Sequence, residues 1–371
     1  MIQLFKPFMG KEEIEEVSKV IQSGWIGLGP KTAEFERKFA EYIGVKYAVG
    51  VNSCTSALDL ALKLLNVRNG DEVIVPTITF VSTAHVVSYN LAYPIFVDVD
   101  EESLLMDIED VRKKITVRTK AIIPVHYGGR PVDMDKLREI AGDIPIIEDA
   151  AHACGAEYKG RKCGALGDIG CFSFHAVKNL SMGDGGALTL NNKKFAERAN
   201  RMRWLGIDKG TWDRTEVDKS YWWQYFVDEI GLKCHMNDIA AAIGIVQLKK
   251  LENMNERRKE IARKYTDGFK NVDWIETPPE DTEEYRSSWH IYCIKCEKRD
   301  ELSQWLAGRG IIVGVHYQPI HLYSCYGNTP HLPVAEEVFK EILSLPMHPG
   351  LSDKDVDTVI NAVLEFGKKR R

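Results

Sequence analysis

Residues Ser173–Leu190 read SFHAVKNLSMGDGGALTL. A β-rich segment, CFSF, runs into a polar turn that carries Lys178, and a glycine-rich run at Gly183, Gly185 and Gly186 leads into a second β-rich segment, ALTL. A lysine alone on a turn is ordinarily a solvated cation. Here Ser173, His175 and Asn179 crowd it with polar groups, and the glycines allow backbone approaches that side chains would obstruct. Lys178 is therefore the candidate around which the rest of the chain is read.

Upstream, from about residue 45, short apolar runs alternate with helical patterns. YAVGV is followed by a helix from Ser53 to Leu65, EVIVP by a helix after Thr79, and then come YPIFVDV, KAIIPVH and IPIIED. Apolar runs this short, separated by helices, predict an α/β fold of three layers, a mainly parallel central sheet with helices on both faces. Such sheets bind ligands at the carboxyl ends of their strands. Downstream, FAERANRMRWLG and the charged run from Asp238 to about Gly268 predict helices. The aromatic stretch between them, with Trp212, Trp222 and Trp223, is expected to be an ordered loop that lines a pocket or packs on the neighbouring helix. The acidic, proline-containing segment at about 271–286 marks a boundary. It divides a large domain, residues 1–270 with an N-terminal arm, from a smaller α+β domain, residues 271–371. The smaller domain is expected to hold a strand at Trp289–Cys296, a helix at Arg299–Gly308, a strand near Ile312 and helices from Val334 and Ser352.

With 371 residues, 44% hydrophobic and 28% charged, the chain has the balance of a soluble, enzyme-sized protein. Its net charge of -5 and dispersed basic residues argue against nucleic acid as a partner. No window is apolar for long enough to span a bilayer, and the expected location is cytoplasmic. Of the eight cysteines only Cys293 and Cys296 show a CxxC spacing, without a second pair, so all are read as reduced thiols and no metal is assigned to them.

Three further features fall on predicted strand ends. IPIIEDAAHA places Asp149 and His152 just past an apolar strand. Glu148 with Asp149, joined by His126, His152 or His175, can be read as a metal site. A pyridine-ring cofactor accounts for the set more economically: a buried carboxylate keeps the ring nitrogen protonated while a lysine amine forms the imine. VNSCTSAL starts a helix on small hydroxyl residues, a cradle for phosphate as well as an N-cap. PTITFVSTAH puts Phe80 where its face can stack on a flat ring, although a lone phenylalanine is more often core.

Taken with SGWIGLGP, NGDEVIVPTITFVST, KAIIPVHYGG, IEDAAHACGAEYKGRKCGALGDIGCFSFHAVKN, GDGGALTL, MNDIAAAIGIVQL and VHYQPIH, these motifs make nearly the whole chain resemble the DegT/StrS-type sugar aminotransferases of the fold-type I class. The resemblance implies pyridoxal 5'-phosphate as cofactor. Lys178 matches the lysine that holds it as a Schiff base, Asp149 the partner of the pyridine nitrogen, Phe80 the stacking residue, and His152 the residue beside the ring. Cys54, Thr55 and Ser173 match the phosphate site. His235, where the family often has Asn, matches a residue that closes the site of a second subunit, which implies a homodimer with composite sites. Trp25, Tyr317 and His321 are candidates to meet substrate. The implied reaction moves an amino group from L-glutamate, leaving 2-oxoglutarate, to a nucleotide-linked keto-sugar, with UDP- and dTDP-4-keto sugars the nearest analogies. A lysine at 178 argues against the family's sugar dehydratases, which carry histidine there; a lyase on the same fold and a non-catalytic sugar or cofactor sensor are the alternatives.

Overall fold

A computed structural model describes residues 1–208, 225–327 and 330–370. Its centre is a sheet of seven strands: β1 (Tyr47–Val51), β2 (Glu72–Pro76), β3 (Tyr93–Val97), β4 (Thr119–Ile122), β5 (Ile147–Asp149), β6 (Ile169–Ser173) and β7 (Gly186–Leu190). β3-β2-β4 form a parallel ladder and β5-β6-β7-β1 a mixed one, and the bridges Ile122–Ile146 and Val125–Asp149 join them into the order β3-β2-β4-β5-β6-β7-β1. Only β7 runs against the others.

Strand alternation sorts the core into layers. Val49, Val51, Ile169, Cys171, Leu188 and Leu190 enter one buried cluster, whereas Ala48, Phe172 and Ala187, their sequence neighbours, enter another on the opposite face. The first face is covered by α3 (Cys54–Leu64), and the second by α2 (Pro30–Ile43) and the first half of a long helix, Asp238–Phe269. α1 (Lys11–Ser23) lies along that same long helix. Asp238, at its first turn and 1% exposed, accepts N–H bonds from Gly29, Lys31 and Thr32, so it fixes the start of α2 to the long helix.

The second half of the long helix leaves this core. Ile261, Ala262, Tyr265 and Phe269 pack with Tyr292, Ile294, Leu343 and Leu345 in a separate cluster. That cluster is built on two antiparallel strands, Tyr292–Lys295 and Ile342–Leu345, with helices Arg299–Ala307 and Asp353–Arg370. The strand Ile342–Leu345 was not expected from the sequence, and the expected strand near Ile312 is reduced to two isolated bridges, one from Gly314 to Ser344 and one from Ile311 to Ile2. Through that bridge, and through the bond from Met347 N–H to Leu4 O, the N-terminal arm lies against the smaller core. Cys296 is buried in it, whereas Cys293 is buried in the main core; both are free thiols. Trp212, Trp222 and Trp223 lie outside the described residues. No described helix is long and apolar enough to cross a membrane.

Candidate active site

Because β7 is antiparallel, its first residue lies at the same sheet edge as the last residues of β1, β2, β5 and β6. There Gly186 packs so closely on the β1–α3 turn that a Cβ would come within 2.4 to 2.7 Å of the Ser53 carbonyl and Cys54 N. Only glycine lets the two chains meet. The turn then starts α3, which Ser53 caps by accepting from Ser56 N–H at 3.1 Å. The N–H groups of Cys54 and Thr55 find no acceptor among the described residues and stand at the positive end of the helix. This is a seat for an anion.

A cavity of about 420 Å³ opens onto these groups. Of the residues singled out in the sequence, Cys54, Thr55, Phe80, Asp149, His152, Ser173, Lys178 and Tyr317 all line it. Phe80 stands on its wall, 56% exposed, with its edge toward Tyr317 at 6.1 Å between ring centres. Asp149 closes the floor. It accepts from Thr83 Oγ1 at 2.8 Å and from Ala151 N–H at 3.2 Å, and Cys54 Sγ lies 3.9 Å away. Burial raises its pKa above the ordinary carboxylate value, against the opposing pull of those two bonds, Lys178 and His126. In this state Asp149 is a buried acid that lacks a full counter-charge, which a protonated ring nitrogen would supply.

Lys178 sits on the turn after β6, closed by its own N–H donating to His175 O at 2.9 Å. Burial pushes its amine down to about 8, partly offset by Asp149 and Cys54. Lowering the amine's pKa raises the share of free base that imine formation needs. His152 receives Gly128 N–H on Nδ1 at 3.4 Å, so its proton is on Nε2 and points to Tyr317 Oη, 3.1 Å away. Burial, then Lys178 and His316, hold this imidazole well below its usual pKa and therefore neutral.

Two substrate candidates, Trp25 and His321, do not line this cavity, and neither does His235, which was expected to serve the site of a second subunit. Trp25 donates from Nε1 to Leu28 O at 3.0 Å within its own turn. His321 is buried, with Nδ1 2.6 Å from Thr77 Oγ1 and Nε2 3.1 Å from Glu336, because a turn of 3-10 helix at Ile320–Leu322 rotates it inward. His235 lies beside the end of β1, bridged to Val51 and edge-on to Trp204 at 4.3 Å; burial, then Lys233 and Arg203, lower its pKa to about 4. Sequence reasoning missed Thr83, although it lies in the PTITFVSTAH segment, and it missed Phe5, His290 and His316, which reach the cavity from the arm and the smaller core. No local signal marks Phe5 or His290, whereas His316 lies in the VHYQPIH motif next to Tyr317.

The metal reading had grouped Glu148 with Asp149, but neighbours on a strand face opposite ways. Glu148 points into the other layer, where it accepts N–H bonds from Gly164, Leu166 and Gly167 at 2.6 to 2.7 Å and one from His126 Nε2 at 2.9 Å. His126 Nδ1 is itself occupied by Val132 N–H at 3.1 Å. Although His126, Glu148 and Cys163 converge, the carboxylate is already spent on holding the 164–167 loop. Glu148→Ala should therefore lower the unfolding free energy by about 3 kcal/mol or more, since it strands buried N–H groups. Urea denaturation with and without a chelator checks this; the chelator should change neither protein.

Comparison with known proteins agrees with this geometry. The model of the DegT/DnrJ/EryC1/StrS aminotransferase family matches residues 7–364. The spore coat polysaccharide biosynthesis protein SpsC of Bacillus subtilis is 40% identical, over 98% of this chain and 96% of that protein. The dTDP-4-dehydro-2,3,6-trideoxy-D-glucose 4-aminotransferase of Saccharopolyspora spinosa is 36% identical, over 99% and 96%. Among solved structures, a putative sugar aminotransferase of Streptococcus pneumoniae, Spr1654 in its PMP form, superposes with a TM-score of 0.93 at 33% identity, covering 100% of both chains. A fold-type I enzyme that uses pyridoxal phosphate to transfer amino groups is the class this site defines. Within it, the chain belongs to the DegT/DnrJ/EryC1/StrS aminotransferase family.

Proposed function

We propose that this enzyme moves the amino group of L-glutamate onto a nucleotide-linked 4-keto-sugar, releasing 2-oxoglutarate and an amino-sugar nucleotide. The observation that carries the reading is the convergence of Lys178, Asp149 and the free N–H groups of Cys54 and Thr55 on one cavity. When bound, pyridoxal phosphate supplies an electrophilic carbon and an electron-withdrawing ring. Each polar feature of the cavity then has a task. The start of α3, with Ser173, would hold the phosphate; Asp149 would pair with the ring nitrogen; the open face of Phe80 would pack on the ring, and His152 would lie beside it. Lys178 would hold the cofactor covalently, and its amine, when free, would carry the proton from the α-carbon of the amino donor. Tyr317 has its oxygen engaged by His152 Nε2–H, so its own hydrogen is free to meet an oxygen of the sugar.

We further propose a homodimer in which the partner subunit's His235 closes each site, with Trp25 meeting substrate across the same junction, and a division into units near residue 270. The dTDP-sugar named for the Saccharopolyspora relative supports the substrate class, and an intact Lys178 favours amine transfer over dehydration. The test incubates the enzyme with glutamate and a panel of UDP- and dTDP-linked 4-keto sugars and follows products by mass spectrometry. Amino-sugar and 2-oxoglutarate in equal amounts are expected. A deoxygenated sugar without loss of glutamate would assign a dehydratase instead.

A further inference from the structure

Thr79, Phe80 and Thr83 fall within five positions, where the chain leaving β2 turns into the helix Ser82–Tyr89. Thr83 N–H donates to Phe80 O at 3.1 Å, so one turn sets both the cavity wall at Phe80 and the hydroxyl of Thr83. Both threonines are buried, and Thr79 also lines the cavity. A hydroxyl has a single hydrogen to give. Thr83 gives its own to Asp149 Oδ2 at 2.8 Å, so in its 3.0 Å contact with Thr79 it accepts. Thr79 therefore donates, and its hydroxyl makes no other hydrogen bond among the described residues. The chain of bonds runs one way, from Thr79 through Thr83 to Asp149, and the first bond polarises the second.

An ionised carboxylate offers about four acceptor positions, shared equally by its oxygens. Oδ1 of Asp149 takes Ala151 N–H at 3.2 Å and faces the Cys54 thiol at 3.9 Å. That thiol keeps its hydrogen, because burial, then Asp149, raises its pKa well above the usual value. Oδ2 takes Thr83 alone. No further donor reaches the carboxylate among the described residues. The position left over therefore belongs to Oδ2, on a residue that lines the cavity.

We propose that Thr79 and Thr83 are positioning residues, a pair of hydroxyls in series that holds Asp149 ionised and leaves one acceptor position of Oδ2 for the ring nitrogen. The inference rests on Asp149 being the partner of that nitrogen. Donors to a carboxylate favour its charged form. Without the pair, a more basic Asp149 would take the proton that the ring nitrogen must keep. Both threonines act through Asp149, and Phe80, on the same turn, ties the wall of the cavity to its floor.

Valine keeps the shape of threonine and removes the hydroxyl, whereas serine keeps the hydroxyl. In the full-length protein freed of cofactor, the infrared carbonyl band of protonated Asp149, identified by its loss in Asp149→Asn, reads the titration of this carboxyl. The ionisable groups that face it, Lys178, His126, Cys54, Cys171 and Tyr317, are the same in every variant. Its midpoint should rise by about one unit in Thr83→Val and by about half a unit in Thr79→Val. Thr83→Ser and Thr79→Ser should bring it back close to the parent. Thr83→Ala carries the same expectation as Thr83→Val should the latter not fold. In the loaded enzyme Thr83→Val should lower kcat about 10-fold, with the KM for the amino donor changed less than about twofold. An unchanged midpoint in Thr83→Val or Thr79→Val, or serine variants no nearer the parent than the valine ones, overturns the proposal and leaves the threonines as packing. The titration needs neither cofactor nor amino donor. A raised midpoint with an unaltered kcat would therefore sustain the hold of the pair on Asp149 and count against the proposed function alone.

Discussion

Lys178→Ala is expected to reduce kcat by at least roughly 10⁴-fold, because one side chain supplies both the covalent link and the proton carrier, each worth orders of magnitude. The expectation follows from how few groups can substitute. Asp149, Thr83 and Tyr317 line or support the cavity as hydrogen-bonding groups, and its other nitrogen bases are imidazoles, of which His152, His290 and His316 are pushed below their usual pKa by burial. None is a nucleophilic amine. Binding should survive, since the anion seat at Cys54 and Thr55, the carboxylate of Asp149 and the face of Phe80 are untouched. The variant should therefore take up pyridoxal phosphate reversibly, and borohydride should no longer fix it to the chain. Methylamine, small enough for the space the side chain leaves, should restore part of the rate. In the unaltered protein, the rate at which the cofactor-free chain combines with pyridoxal phosphate should rise about tenfold per pH unit up to about 8, where burial has set the amine, and level off above it. A variant that still bound the cofactor irreversibly would move the reactive amine to another lysine.

The parts of this site that were legible in the sequence are those carried by local pattern. Apolar runs of four to seven residues located every strand of the central sheet, because strands buried on both faces have no polar side to interrupt them. Their carboxyl ends then brought Cys54, Phe80, Asp149 and Lys178 to one edge. Strand direction is not a property of composition, and the reversal of β7, which brings Gly186 to the phosphate turn, could not be read. Ile342–Leu345 was passed over because it follows helix Pro333–Glu341 with no turn residue between them. The pairing of Glu148 with Asp149 failed through neglect of the two-residue period, by which one carboxylate faces the cavity and the other the 164–167 loop. His321 was named with Tyr317 as a candidate to meet substrate, and a single turn of 3-10 helix at Ile320–Leu322 separates them, leaving Tyr317 on the cavity and His321 against Thr77. Phe5 and His290 were illegible for a different reason: their place depends on the arm and the smaller core packing against the sheet, a contact between distant parts of the chain; His316, within VHYQPIH, was passed over for its neighbour Tyr317.

Asp149→Asn should have opposite effects on the loaded and the cofactor-free enzyme. With pyridoxal phosphate bound, the ring nitrogen loses its anionic partner. An uncompensated buried charge costs about 3–5 kcal/mol, so kcat should drop by about 10² to 10³-fold with little change in expression or fold. Without cofactor, Asp149 is itself the uncompensated charge. Its native pKa lies above its unfolded one because burial outweighs the bonds from Thr83 and Ala151. Between the two values the native state holds more protons, so stability falls as pH rises through that window and stays lower above it. Asn has no charge to bury, and its oxygen can still accept from Thr83. The cofactor-free variant should therefore melt at a higher temperature than the parent at pH 7, with the difference shrinking as pH is lowered through the carboxylate range. Pyridoxal phosphate should raise the melting temperature of the parent by more than that of the variant, because only the parent gains an ion pair on binding. Thermal melts of both proteins across pH, with and without cofactor, measure all four quantities. A parent that is already the more stable of the two without cofactor would mean that Asp149 is satisfied by the protein alone, and its role as the partner of the ring nitrogen would have to be given up.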